Sequence, residues 1–283
     1  MELRATAADD LPVLHAVFLD AIGGVYRPHG FEPPAPPLEV FAAQQEHLLR
    51  HDAERCFVLV ERGRPVAFAS AWIRNGDWFL ASLFVSPALQ RNGAGRALLD
   101  AVWGTDAVAY RRRTLTDAIQ PVSNALYARR GLVPATPVLS FGGRPSRREA
   151  PLPPGGATAA ELAAIDASAY GFDRAIDHRF WEQAGRRTAW CRDKRIVAYS
   201  YCFPGGAVGP IAGLDPAAAA GALLGELALA EGEVRVRVPG SARALVACAL
   251  EAGLLLGPTP GLLLLSEGVA SPDALAIGSY TLY

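Results

Sequence analysis

Across 283 residues there is little net charge, little cysteine, one lysine and no long apolar run, and each scarcity excludes something. Acidic and basic residues cancel to a formal charge of −1, which leaves no field to steer the chain onto nucleic acid or anionic lipid. Neither nucleic acid nor membrane is therefore an expected partner. Cys56, Cys191, Cys202 and Cys248 lie far apart, with no C-x-x-C pair and no histidine at zinc-ligand spacing. They read as reduced, buried thiols of a cytoplasmic protein without a metal site. No apolar run reaches the ~18 residues of a membrane span, and MELRATAADD carries charge where a signal peptide has its apolar core. Lys194 is the only lysine among 27 Lys and Arg residues, a bias that fits a GC-rich gene better than a demand for guanidinium.

What is present centres on residues 78–102, WFLASLFVSPALQRNGAGRALLDAV. Trp78 to Ser86 is aromatic and β-branched enough for a strand, Pro87 stops the ladder, and Leu98, Leu99 and Val102 recur at helical spacing. Between them lies Gln90-Arg91-Asn92-Gly93-Ala94-Gly95. A strand that turns through glycines into a helix leaves unpaired N–H groups at the positive end of the helix dipole, a place for a phosphate. Gly93 and Gly95 let an anion approach without meeting a Cβ, and Arg91 and Arg96 add charge. A Walker loop needs Lys and Ser/Thr after its second glycine, where Arg96 and Ala97 stand. A dinucleotide loop needs a third glycine where Leu98 stands. The remaining pattern, Q-x-x-G-x-G after a strand ending V-S-P, resembles the acetyl-CoA pyrophosphate loop of the GCN5-related N-acetyltransferases (GNATs).

The resemblance extends to Ala125-Leu126-Tyr127 and Gly131-Leu132, which stand at the spacing of the late helix A-x-x-L-Y-x-x-x-G-F in that family. It implies that Tyr127 lies beside the CoA sulfur as general acid. A thiolate of solution pKa about 8.5 leaves more readily when a hydroxyl near pKa 10 protonates or solvates it. It implies further that Leu83, Phe84 and Val85 pair with pantetheine through their backbone, that one N–H there serves as oxyanion hole, that Ala94 completes the loop, and that Asn124 holds the pantetheine arm or orders a water. The co-substrate is then acetyl-CoA, with no metal. For the general base, Ala81 and Ser82 stand where many relatives have the base, and Glu32, Asp77, Asp117, the second half of the chain and water all remain open.

Along the chain, Thr6-x-x-Asp9 reads as a capping box for a helix through Ile22 that ends at Gly23-Gly24. The proline-rich stretch 25–37, VYRPHGFEPPAPP, reads as a long functional loop offering Tyr26, Phe31 and Glu32 to a bounded acceptor pocket. A helix follows over 38–50, with His47 and His51 as solvated caps. Strands are expected at 56–61, 66–74 and 78–86, the last two joined by Asn75-Gly76-Asp77, a strong hairpin signal. A strand at 113–117, a helix at 122–130 and a strand at 134–141 complete a mixed α+β unit. Arg111 to Arg113 read as a solvated loop face or as contacts to the 3′-phosphate of CoA.

Residues 143–156 have linker composition, and the second half repeats the element order of the first. In that copy Ala222 falls where Gly93 stands and Ala249 where Tyr127 stands, so neither motif survives. The segment GFDRAIDHRFW offers Asp173, Arg174, Asp177, His178 and Trp181 either as acceptor contacts or as caps around a buried tryptophan. The expected organisation is two tandem GNAT-like domains, each a mixed, mostly antiparallel sheet flanked by helices. The first spans 1–142 and the second, degenerate, spans 157–283. The expected activity is direct acetyl transfer to a small-molecule amine in the first domain, the alternative being an acetyl-CoA sensor without turnover.

Overall fold

The computed structural model describes residues 1–146 and 149–283. Contacts divide the chain into two compact units, one of Met1–Leu115 with Ile119–Leu132 and one of Thr116–Ala118 with Val133–Tyr283. Arg147 and Arg148, within the segment expected as a linker, lie outside the described residues.

The first unit opens on an unforeseen strand, β1 (Glu2–Ala5), antiparallel to β2 (Cys56–Glu61). Helix α1 (Leu11–Tyr26) is entered through Asp10 and not through the Thr6-Asp9 box. Asp10 accepts the Ala7 amide at 2.8 Å and both guanidinium nitrogens of Arg4 at 2.7 Å. Arg4, displayed by β1, holds this carboxylate where it closes the 3-10 turn Ala8–Asp10 that leads into α1. Nor does α1 end at Gly23-Gly24: its buried stripe of Leu14, Val17, Ala21 and Ile22 runs on to Tyr26. A Cβ on Gly24 would meet Pro87 Cγ at 3.4 Å, an ordinary van der Waals contact.

Helix α2 (Leu38–His51) leads into the meander β2, β3 (Arg64–Arg74) and β4 (Asp77–Val85), with Asn75 and Gly76 both at positive φ in the tight turn. Helices α1 and α2 cover one face of it through Leu11, Leu14, Val17 and Phe41, packed on Val58, Val60 and Phe68. His47 is buried and stacks edge-on against His51, so it is a packed side chain and not a solvated cap. Helix α3 (Ala94–Trp103) buries Leu98, Leu99 and Val102, and Trp78 donates its indole N–H to the Val102 carbonyl at 3.3 Å. Strand β5 (Arg111–Asp117), parallel to β4, and helix α4 (Pro121–Ala128) follow.

In the second unit, β6 (Val133–Gly143) and the short β7 (Pro154–Gly155) precede α5 (Ala159–Ala169), α6 (Ala175–Ala184), the meander β8 (Arg186–Arg192), β9 (Arg195–Phe203) and β10 (Ala207–Gly213), α7 (Pro216–Leu229), β11 (Val234–Pro239) and α8 (Arg243–Glu251). After them come β12 (Leu255–Leu256), β13 (Gly261–Leu265) and β14 (Leu275–Ala276). Two helices, three antiparallel strands, a helix, a parallel strand and a helix therefore occur twice, the β10–β11 pair being parallel like β4–β5. The fold is α+β, with mixed, mostly antiparallel strands flanked by helices in each unit. Strand β6, expected to close the first sheet, pairs instead with β11, β12 and β13. Among the described residues no helix is long and apolar enough to cross a membrane.

Candidate acetyl-CoA site

Strand β4 carries a bulge. Ser82 faces Ser70 but Leu80 faces Ala71, so Ala81 is the extra residue. Parallel pairing with β5 runs from Asp77 and Arg111 to Leu80 and Thr114, where the Thr114 hydroxyl donates to the Leu80 carbonyl at 3.0 Å. Ser82 to Val85 lie past the last of these pairs. The two strands part there, and the β4 backbone of Leu83, Phe84 and Val85 is left with a ladder edge that an extended amide-bearing ligand can join.

Past Val85 the chain is fastened and then opened. The Ser86 amide reaches the Val66 carbonyl at 3.0 Å, and the Gln90 side-chain amide donates back to the Val85 carbonyl at 3.2 Å. Arg91 takes φ 69° and Gly93 φ 82°, two left-handed residues on either side of Asn92. For Arg91 that conformation costs about 1–2 kcal/mol, the kind of strain that clusters at binding loops. Gly93 is the N-cap of α3 and brings no side chain to the helix end. By helix geometry the amides of Ala94, Gly95 and Arg96 have no acceptor inside the helix. Arg91, Asn92, Gly93 and Arg96 are exposed, while Ala94 is buried. The result is an open, positively polarised amide cradle flanked by two guanidinium groups.

The second unit treats the same helix end in the opposite way. Asp215, N-cap of α7, accepts the Ala218 amide at 2.7 Å and pairs with Arg192. The Arg192 guanidinium, with the helix amides behind it, holds the Asp215 carboxyl below the usual carboxylate value. This helix end already carries its anion. The alanines and glycines of α7 serve packing: a Cβ on Gly225 would overlap the Trp190 ring and one on Gly221 the Leu152 side chain.

In the first unit three separate stretches meet at Gly95, where a Cβ would lie 3.7 Å from Val85 Cγ2 and 3.9 Å from Leu126 Cδ2. The strand end, the amide cradle and α4 thus share one corner. Tyr127, next to Leu126, is 4 % exposed, and its carbonyl accepts the Arg130 and Leu132 amides around left-handed Gly131. Asn124 is half-buried one turn earlier on α4. Residues 24–132 match the sequence model of the Acetyltransferase (GNAT) family. This region is similar to the GNAT domain. Solved structures extend the likeness in fold to the whole chain. A Pyrococcus horikoshii protein assigned to the acetyltransferases is 18 % identical at a TM-score of 0.77, over 100 % of this chain and 95 % of its own. A GCN5-related N-acetyltransferase from Sphaerobacter thermophilus is 16 % identical at a TM-score of 0.63, over 99 % and 98 %. A tandem GNAT protein from the clavulanic acid biosynthesis pathway is 15 % identical at 0.60, over 95 % and 99 %. Among curated proteins none matches the sequence. The GNAT fold is present twice.

Several side chains expected at the GNAT site lie elsewhere. Asp77, a candidate base, is 1 % exposed at the start of β4 and bonded to Arg111 and to Arg113, whose Nε lies 2.6 Å away. Burial raises its carboxyl above the usual value against the pull of both guanidiniums. It sits at the opposite end of β4 from the cradle and is structural. Arg111 to Arg113 accordingly form no solvated loop: strand alternation sends Arg113 into the Asp77 pair and Arg112 over the Trp103 ring at 5.3 Å. Asp117 is half-buried in the second unit, where the burial of Tyr280 and then the Asp117 charge raise the Tyr280 hydroxyl above its usual value. Of the acceptor candidates, Tyr26 is buried, Phe31 half-buried and Glu32 exposed. Arg174, Asp177, His178 and Trp181 are interior to the second unit.

One cluster had no local signal. Gln45 on α2 donates to Ser82 at 3.2 Å and accepts from Ser70 at 3.4 Å, all three buried just past the bulge. Its members lie 37 and 25 positions apart in the sequence, so only the folded sheet brings them together. Among the described residues no three His, Cys, Asp or Glu side chains gather at metal-binding distance.

Proposed function

We propose that the first unit is an acetyl-CoA-dependent N-acetyltransferase that acts on a small-molecule amine by direct transfer. The observation that carries this reading is the meeting at Gly95 of the open β4 edge, the amide cradle and the helix bearing Tyr127. A ligand with a pyrophosphate at one end and an amide-rich arm ending in a thioester fits that sequence of surfaces. The pyrophosphate takes the amides of Gly93 to Arg96 with Gln90, Arg91 and Asn92 alongside, and the arm adds to Leu83, Phe84 and Val85 as an extra strand. Asn124 steadies the arm, and Tyr127 stands at its reactive end.

In the transfer the amine nitrogen attacks the thioester carbon, a C–N bond forms and the C–S bond breaks. A β4 amide past the bulge holds the developing oxyanion. The Tyr127 hydroxyl gives its proton to the departing sulfur, and the nitrogen, positively charged after its attack, loses one to water, which returns it to the tyrosine and leaves a neutral amide. The side chains of Leu83 and Val85 share the face of Gly95, whereas Ser82 and Phe84 point to the opposite face, under α1 and α2. Donor and acceptor can therefore approach the same stretch of β4 from its two sides.

The second unit supports a single site, because Asp215 supplies the anion at its matching helix end. Calorimetric titration of the full chain with acetyl-CoA is the test. One equivalent bound, with CoA released when amine is added, is expected, and a silent titration sinks the proposal. Tight binding without CoA release over a broad amine panel would favour the sensor reading.

A further inference from the structure

The α1–α2 side of β4 is lined almost wholly by rings. Phe84 packs edge-on against Phe18 at 4.9 Å and lies 5.4 Å from Phe68 across the strand pair. Phe18 meets Phe41 at 5.6 Å, and His15 lies 5.2 Å from Phe41 and 6.4 Å from Phe18. Phe18, Phe84 and His15 are half-buried, so this cluster keeps an open rim, unlike the sealed core behind it. Its polar floor is neutral: the Gln45 amide and the Ser70 and Ser82 hydroxyls. Asp20, two residues beyond Phe18 and exposed, accepts the Ser86 hydroxyl at 3.3 Å.

Above the rings runs the proline-rich segment 31–37. It is tied at one end by the Phe31 amide on the Tyr26 carbonyl at 3.2 Å and near the other by His15, whose Nε2 lies 2.9 Å from the Pro36 carbonyl. A carbonyl only accepts, so His15 Nε2 carries the hydrogen. One side chain thus touches both the ring cluster and the segment that covers it. We propose that His15 is a positioning residue for the acceptor, and that the acceptor is a primary amine carried on an aromatic or branched apolar body, not a diamine or polyamine. Ring faces take up an apolar body with favourable offset and edge contacts; the buried polar groups beside them are uncharged, and the carboxylates of Asp20 and Glu32 are exposed to water, which screens their pull on a second ammonium group. The inference rests on the acetyltransferase reading and names the substrate class of that site.

The test uses the full chain, acetyl-CoA, and two probe amines, 2-phenylethylamine and 1,4-diaminobutane. The arylalkylamine is expected to have kcat/KM higher by about tenfold or more, as burial of a phenyl group allows. His15→Ala is expected to raise KM for it about tenfold with kcat and the KM for acetyl-CoA held, and His15→Gln, which keeps a donor for Pro36, to recover most of the loss. Equal or better use of the diamine overturns the inference, as does a His15→Ala variant that loses kcat and both KM values together. A silent acetyl-CoA titration brings down the acetyltransferase reading as well, which tells the two failures apart.

Discussion

His178 Nε2 lies 3.0 Å from Asp166 Oδ2, and the other oxygen of that carboxylate takes the Tyr199 hydroxyl at 2.7 Å. Asp166 and Tyr199 are wholly buried, and His178 nearly so. The remaining nitrogen of His178 meets the Tyr201 hydroxyl at 2.9 Å, so α5, α6 and β9 are joined by one polar chain inside the second unit. Asp166→Ala orphans three buried donors, the His178 ring N–H, the Tyr199 hydroxyl and the Arg174 amide, each worth about 1–3 kcal/mol. The urea midpoint of the full chain is expected to fall by the equivalent of several kcal/mol, and Tyr199→Phe to cost distinctly less. Equal losses in the two variants would mean that the chain is not built around Asp166.

Removing the Asp10 carboxylate, which accepts the Ala7 amide and pairs with Arg4, should cost about 1 kcal/mol at pH 7. The hydrogen bond from Arg4 lowers the Asp10 carboxyl below the ordinary value of 3.8. Its contribution is therefore complete above that value and fades as pH falls through the lower, folded-state one. Denaturation of Asp10→Asn beside the parent chain should show a gap that is constant from pH 7 to about 5 and narrows at strongly acidic pH. A gap that widens on acidification would contradict this assignment.

Gly93→Ala meets no neighbour within 4 Å of the new Cβ, so its cost is conformational. Holding alanine at φ 82° costs about 1–2 kcal/mol, and relief would turn the cradle away from its anion. Acetyl-CoA affinity is expected to drop about tenfold with thermal stability little changed. Unaltered affinity would place the pyrophosphate elsewhere.

Tyr127→Phe removes one hydroxyl from a side chain whose ring remains packed. If that hydroxyl protonates the leaving sulfur, kcat should fall by about 10²–10⁴ while acetyl-CoA binds as before by calorimetry. A fall in affinity with kcat preserved would make Tyr127 a wall of the pocket.

Local chemistry was legible in the sequence, and partnership was not. Asn75-Gly76 announced its turn, Pro87 and Gly93 announced the break between β4 and α3, and each half displayed its order of helices and strands. What local signals missed depends on a partner far along the chain. Nothing at Asp10 points to Arg4, nothing at Asp77 shows that Arg113 will be buried against it, and Gln45 meets Ser82 only because α2 lies across the meander. The same limit explains Arg111 to Arg113, three adjacent charges that resemble a solvated face until strand alternation separates them. The eroded loop of the second half was visible as missing glycines. That Asp215 fills the corresponding helix end, and that Gly225 is kept for Trp190, became visible only with the packing.

Strand β6 has a practical consequence for anyone dissecting the protein. A fragment cut at residue 142, where composition suggests a seam, would carry off a strand whose partners β11, β12 and β13 stay with the other piece. The first piece would then display a long unmated edge, open to self-association, and the second would have a slot through its sheet between β11 and β13. The last strand of the first repeat in the gene is a middle strand of the second unit's sheet, so neither copy can be excised by cutting where the repeat ends.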